Sequence, residues 1–158
     1  MFKQLACIGS VAVLAAVSLG FETVAAQPPQ PAAAHCERAF DRAVDAYIET
    51  TDERDAAGFA ALLHKDVTAI FANGGVLYGK EATMGFIEPF FEATNWTQTF
   101  EELTRVVRGC KSGFVLFDSV FTQDGEPTPL VIGVTFTWER GRWLAVHNQD
   151  SNGPASKG

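Results

Sequence analysis

The sequence predicts an α+β protein, with helices packed on one face of a curved antiparallel sheet. Three observations carry that prediction. From Cys36 the apolar residues fall at helical spacing, with Phe40, Ala43, Val44, Tyr47 and Ile48 on one stripe and Glu37, Asp41, Arg42 and Glu49 facing away. From Trp96 to Ser151 the chain is rich in β-branched and aromatic residues, punctuated by short Gly-containing turns. Finally, residues 129–138 and 143–151 flank the polar turn Glu139-Arg140-Gly141-Arg142, which reads as a hairpin.

Taken in order, residues 1–26 read as a signal peptide. Lys3 gives a basic start, residues 5–19 are almost entirely apolar, and Val24-Ala25-Ala26 offers small residues for cleavage before Gln27. The competing reading is a retained membrane anchor. The apolar run is short for a span, and Glu22 interrupts it. Export to a periplasm or to the medium follows, with no membrane attachment after cleavage. Residues 27–35 are Pro-rich and patternless, as in a flexible lead. One domain then spans residues 36–151. After the first helix, Asp55 is placed to cap a second whose stripe is Phe59, Leu62 and Leu63. Residues 67–72 form a strand, Asn73-Gly74 turns it, and residues 75–78 return. Gly79 opens a third helix that buries Phe86, Ile87, Phe90 and Phe91, with Pro89 expected to kink or shorten it. Strands follow at 96–107 and 114–121, turned at 111–113 and 123–127, before the final hairpin. Residues 152–158 are a loose tail.

The chain has 158 residues and a net charge of −7, which removal of Lys3 and Glu22 together leaves unchanged. Nucleic acids and anionic membranes require a basic footprint, so neither is an expected partner. No glycine-rich strand-turn-helix marks a dinucleotide site, and no cofactor is expected. His35, His64 and His147 share no ligand spacing with each other or with cysteine, so no metal site is expected. Beyond the leader two cysteines remain, Cys36 and Cys110. In an oxidising compartment an even pair reads as one disulfide; two buried free thiols are the alternative.

Several segments together resemble the nuclear transport factor 2-like superfamily. They are Ala46-Tyr47-Ile48-Glu49, the acidic turn at Asp52 and Asp55, Leu62-Leu63, Asp66 opening a strand and Gly79-Lys80-Glu81 opening a helix. The ending from Gly141-Arg142-Trp143 through His147 to Ser151 is similar to the last strand of SnoaL-like members and of the calmodulin-dependent kinase association domain. The resemblance implies a cone: a curved antiparallel sheet on three N-terminal helices, enclosing an apolar cavity, and often a homodimer through the outer sheet face. It also allows a comparison with ketosteroid isomerases. Tyr47 matches their tyrosine, but their base falls on Phe71 and their protonated acid on Gly133, so that reaction is rejected. Gly133 instead leaves room in the pocket.

In the register this resemblance implies, Asp118 points into the cavity from a face shared with Phe114, Leu116 and Val120, where burial would raise its pKa. Asp118 and Tyr47 are therefore the catalytic candidates. The plainer readings are an Asp118 at an opening or paired with an arginine, and a Tyr47 hydroxyl making a structural hydrogen bond. Asn148 and Asp150, on a face with Leu144 and Val146, are candidate ligand contacts, and Phe71, Phe86 and Trp96 are wall candidates. His147 would face outward, at a dimer contact, with no nucleophile motif to pair with it. A one-residue slip would turn Asp118, Asn148 and Asp150 outward together. Two functions fit. One is a pocket for a small apolar ligand with one polar end, supporting cofactor-free proton transfer of isomerase, dehydratase or cyclase type. The other is a non-catalytic dimerisation or assembly module, and the two part on whether the cavity is open or plugged by aromatic side chains.

Overall fold

The computed structural model describes residues 31–153. The expected signal peptide and most of the expected tail lie outside the described residues. Helix α1 runs Pro31–Asp52, α2 Ala56–Leu62 and α3 Gly79–Glu92. The strands are β1 Leu63–Ile70, β2 Val76–Tyr78, β3 Trp96–Arg108, β4 Ser112–Gln123, β5 Glu126–Glu139 and β6 Arg142–Asn152. They form one six-stranded sheet in the order β2-β1-β6-β5-β4-β3. This is the expected α+β cone, with one departure. The sheet is not wholly antiparallel, because β6 pairs in parallel with β1. The third helix follows the first hairpin, as the order of elements in the sequence predicts.

The first helix starts earlier than its apolar stripe. Residues 31–35, expected in the flexible lead, already belong to α1. Proline suits a first helical turn, where its missing N–H is no loss, and the alanines after it are the strongest helix formers. The stripe behaves as expected: Phe40, Ala43, Val44 and Tyr47 are buried. Asp55 caps α2 by accepting a hydrogen bond from the Gly58 amide at 2.9 Å. Helix α3 runs one turn past Pro89, and only Phe91 of its four expected core residues is fully buried; Phe86 is 42 % exposed.

The long hairpins owe their register to residues with positive φ. Asp124-Gly125 and Arg140-Gly141 have φ of 51° and 85°, and 49° and 83°, the two-residue pattern whose twist matches that of the flanking strands. Inward-facing Val115, Phe117, Ile132, Val134 and Phe136 form the core with α1. Gly113 makes this packing possible. A Cβ there would lie 2.3 Å from the Phe40 ring, which sits flush against the strand.

The narrow end of the cone is sealed. Phe40 packs edge-on against Phe136 and Trp143, and the Trp143 indole donates to the Cys36 carbonyl oxygen at 2.9 Å. Cys36 and Cys110 form the expected disulfide, tying α1 to the β3–β4 turn across 74 residues. No helix among the described residues is long and apolar enough to cross a membrane.

Candidate functional site

The other end of the cone is open. A cavity of about 320 Å³ lies between the sheet and the three helices. Its walls are chiefly apolar: Phe59 from α2, Phe86, Ile87, Phe90 and Phe91 from α3, and Phe121, Leu130 and Ile132 from the sheet. Phe71, Asn73 and Thr128 come from the strand ends and loops near the exposed Phe86. The cavity is thus not plugged, although aromatic rings line much of it.

Its polar centre is a chain of three side chains. The Tyr47 hydroxyl donates to Asn148 Oδ1 at 2.7 Å, and Asn148 Nδ2 donates to Asp150 Oδ1 at 2.9 Å. With Asp150 ionised, the amide has one orientation that serves both neighbours, because its oxygen facing a carboxylate would be repelled and would satisfy nothing. Burial pushes the Asp150 carboxyl above the usual carboxylate range, against the hydrogen bond from Asn148, which pulls it down. Burial, with a smaller contribution from the Asp150 charge, pushes the Tyr47 hydroxyl far above the usual tyrosine range. Tyr47 therefore remains a donor at any physiological pH. Its ring is held by Phe59, Phe100 and Phe117 at centroid distances of 5.5, 6.0 and 6.3 Å.

Asn148 and Asp150 face inward because β6 carries a bulge. Phe136 pairs with Ala145, but Thr135 pairs with His147, so Val146 is an extra residue. Before it, Trp143 and Ala145 belong to the buried core; after it, Asn148 and Asp150 take the inner face. The sequence expectation thus places the two polar residues correctly but gives them the wrong companions. Leu144 and Val146 are not the residues that share their cavity.

Asp118 requires a correction. It is exposed on the outer face of β4, while Val115, Phe117 and Ser119 are buried. Strand β4 is apolar on both faces, so alternation alone does not choose its phase. Packing chooses it: Gly113 must face Phe40, and every second residue follows. Asp118 and Asp150 do not move as a pair, because the bulge uncouples β6 from β4. Gly133 is also outward, where a Cβ would come within 3.2 Å of the Phe114 ring, so it leaves room for Phe114 and not for a ligand.

Phe71 and Phe86 line the cavity as expected, their rings 4.7 Å apart. Trp96 does not. It is buried behind the wall, stacked on Phe90 at 4.3 Å, with its indole donating to the Phe90 carbonyl oxygen and the Arg54 guanidinium over its ring at 4.6 Å. His147 lies outside the cavity lining, as expected. Sequence reasoning did not single out Gln98, Thr51 or Thr83. Gln98 shares the inward phase of Trp96 and Phe100 on β3, a signal present in the sequence, and it donates to Ser119 Oγ at 3.1 Å. Thr51 and Thr83 look like ordinary helix residues and are bound back to the carbonyls of Tyr47 and Gly79. Among the described residues, no cluster of His, Cys, Asp and Glu is arranged to hold a metal ion.

Comparison with known proteins gives a family. Residues 44–146 match the family described as SnoaL-like domain, a span that includes Tyr47 and stops just short of Asn148. No curated protein matches the chain. Among solved structures, an NTF2-like protein of unknown function from Pseudomonas putida KT2440 is 17% identical with a TM-score of 0.65, covering 75% of this chain and 87% of that one. A presumed dehydratase of the NTF2-like family from Streptomyces avermitilis is 15% identical, TM-score 0.65, covering 75% and 96%. A presumed calcium/calmodulin-dependent protein kinase type II association domain from Thiobacillus denitrificans is 18% identical, TM-score 0.62, covering 71% and 93%. At these identities the likeness is one of fold.

Proposed function

This chain belongs to the SnoaL-like domain family, and from that premise we propose that its cavity binds a small, largely apolar molecule with which Asp150 exchanges a proton. The observation that carries the reading is the Tyr47–Asn148–Asp150 chain inside an otherwise apolar cavity. A carboxyl whose pKa is raised by burial, oriented by a neutral amide, suits proton transfer without a cofactor. Asn148 fixes one carboxyl oxygen, and Tyr47 fixes Asn148 in turn. The second oxygen of Asp150 is the group offered to the ligand. The presumed dehydratase among the structural neighbours is consistent with such chemistry on this fold.

The test is a thermal-shift screen against a metabolite panel, followed by NMR in D₂O to detect exchange of ligand hydrogens. A ligand at a hundred times its Kd should add about 2.7 kcal/mol of stability. Hits should weaken, and exchange should stop, in Asp150→Asn; Asp118→Asn should behave like the parent. Hits indifferent to Asp150→Asn, or a panel without hits, would refute the reading.

The assembly reading has its own support on the outer sheet face, where Leu103, Val106 and Val120 are exposed beside Phe114 and Leu116. We propose that this face pairs two copies of the chain. Sedimentation should show a dimer that Val106→Glu with Val120→Glu converts to monomer; a monomeric parent would refute it. We also propose export, in keeping with the disulfide. A mature protein from the producing cell should begin at Gln27.

A further inference from the structure

We infer that the molecule taken up by this cavity is an organic cation: a small apolar amine whose ammonium group pairs with Asp150. The inference rests on the reading of the cavity as a ligand site and goes on to name the ligand's charge. Among the described residues that line the cavity, Asp150 is the one formally charged side chain, and neither Lys, Arg nor His is among them. A partly buried carboxylate without a counter-ion is costly, and it either takes a proton or acquires a cation. The surrounding elements offer none. Helix α1 brings the Tyr47 hydroxyl, β1 Ala69, β5 Ile132, and β6 the neutral amide of Asn148. Arg54 is committed elsewhere, its guanidinium over the Trp96 ring and donating to the Trp96 carbonyl oxygen.

Two independent features point to a positive charge. The rings of Phe59, Phe71, Phe86, Phe90, Phe91 and Phe121 line the cavity beside Tyr47. Aromatic faces attract cations and repel anions. The whole chain, at −7, favours the approach of cations as well. A carboxylate or phosphate ligand would stand beside Asp150 with nothing to neutralise either charge. Beside a neutral alcohol Asp150 would have to keep its proton, and the site would gain no charge pairing. An amine resolves the imbalance. If it enters neutral, the Asp150 proton passes to the nitrogen lone pair, leaving carboxylate and ammonium. If it enters as ammonium, the Asp150 proton leaves to solvent.

The experiment is calorimetric titration of the purified chain with three probes of one skeleton: 3-phenylpropylamine, 3-phenylpropan-1-ol and 3-phenylpropanoate. The amine should bind at least about tenfold more tightly than the alcohol, and the carboxylate weakest of all. Asp150→Asn should bring amine and alcohol together, whereas Asp118→Asn should preserve the gap; a melting curve for each variant establishes that it is folded. An alcohol that binds as tightly as the amine, or an amine preference that survives Asp150→Asn, would overturn the inference and leave the pocket itself standing. Binding of none of the three would overturn both.

Discussion

At Asp150 the fold holds a carboxyl above its ordinary range by burial, so the folded chain binds that proton more tightly than the unfolded chain does. The stabilising contribution is complete below the ordinary carboxylate range and is lost as pH rises through the raised value. Asp150→Asn keeps an oxygen for the Asn148 amide and removes the charge. It should therefore melt above the parent at neutral pH, with the gap closing as the solution is acidified; melts from about pH 8 to about pH 4 would show it. A gap that widened on acidification would contradict burial as the cause. At this scale the sequence was half legible. Tyr47 is visible because a helical stripe names its own buried face. Asp118 was misplaced because β4 is apolar on both faces, and choosing between them needs the packing of Phe40, a contact between residues far apart in the chain.

Among the elements, α1 and the β3–β4 turn are held by two devices that can be separated. One is the disulfide across 74 residues. In the chain-entropy account, closing so long a loop stabilises by about 4 kcal/mol, so urea unfolding with and without reductant should differ by roughly that amount. The other is the seat of Phe40 on Gly113. The ring is fully buried and has no free direction in which to retreat from an added methyl. Gly113→Ala should cost about 1–3 kcal/mol, seen as a lower urea midpoint at unchanged slope. Element identity and order were readable throughout, because helical periodicity, Asn-Gly and Asp-Gly turns, and the Asp55 cap are local signals. The bulge at Val146 was not. It adds one residue against a partner strand and leaves no mark in composition, yet it decides which side chains of β6 enter the cavity.

For the whole molecule, the sheet order β2-β1-β6-β5-β4-β3 sets β6 in the interior of the sheet although it follows every other strand in the chain. Until β6 is laid down, the β1–β2 hairpin and the β3–β4–β5 meander are separate ribbons with two facing, unpaired edges. One strand then closes the gap on both sides, parallel to β1 and antiparallel to β5, and it carries Asn148 and Asp150 with it. Such pairing of distant segments is slow to nucleate. Closing the sheet and completing the cavity therefore depend on the same strand. A chain without β6 would hold two open ribbons and lack the Asn148–Asp150 pair.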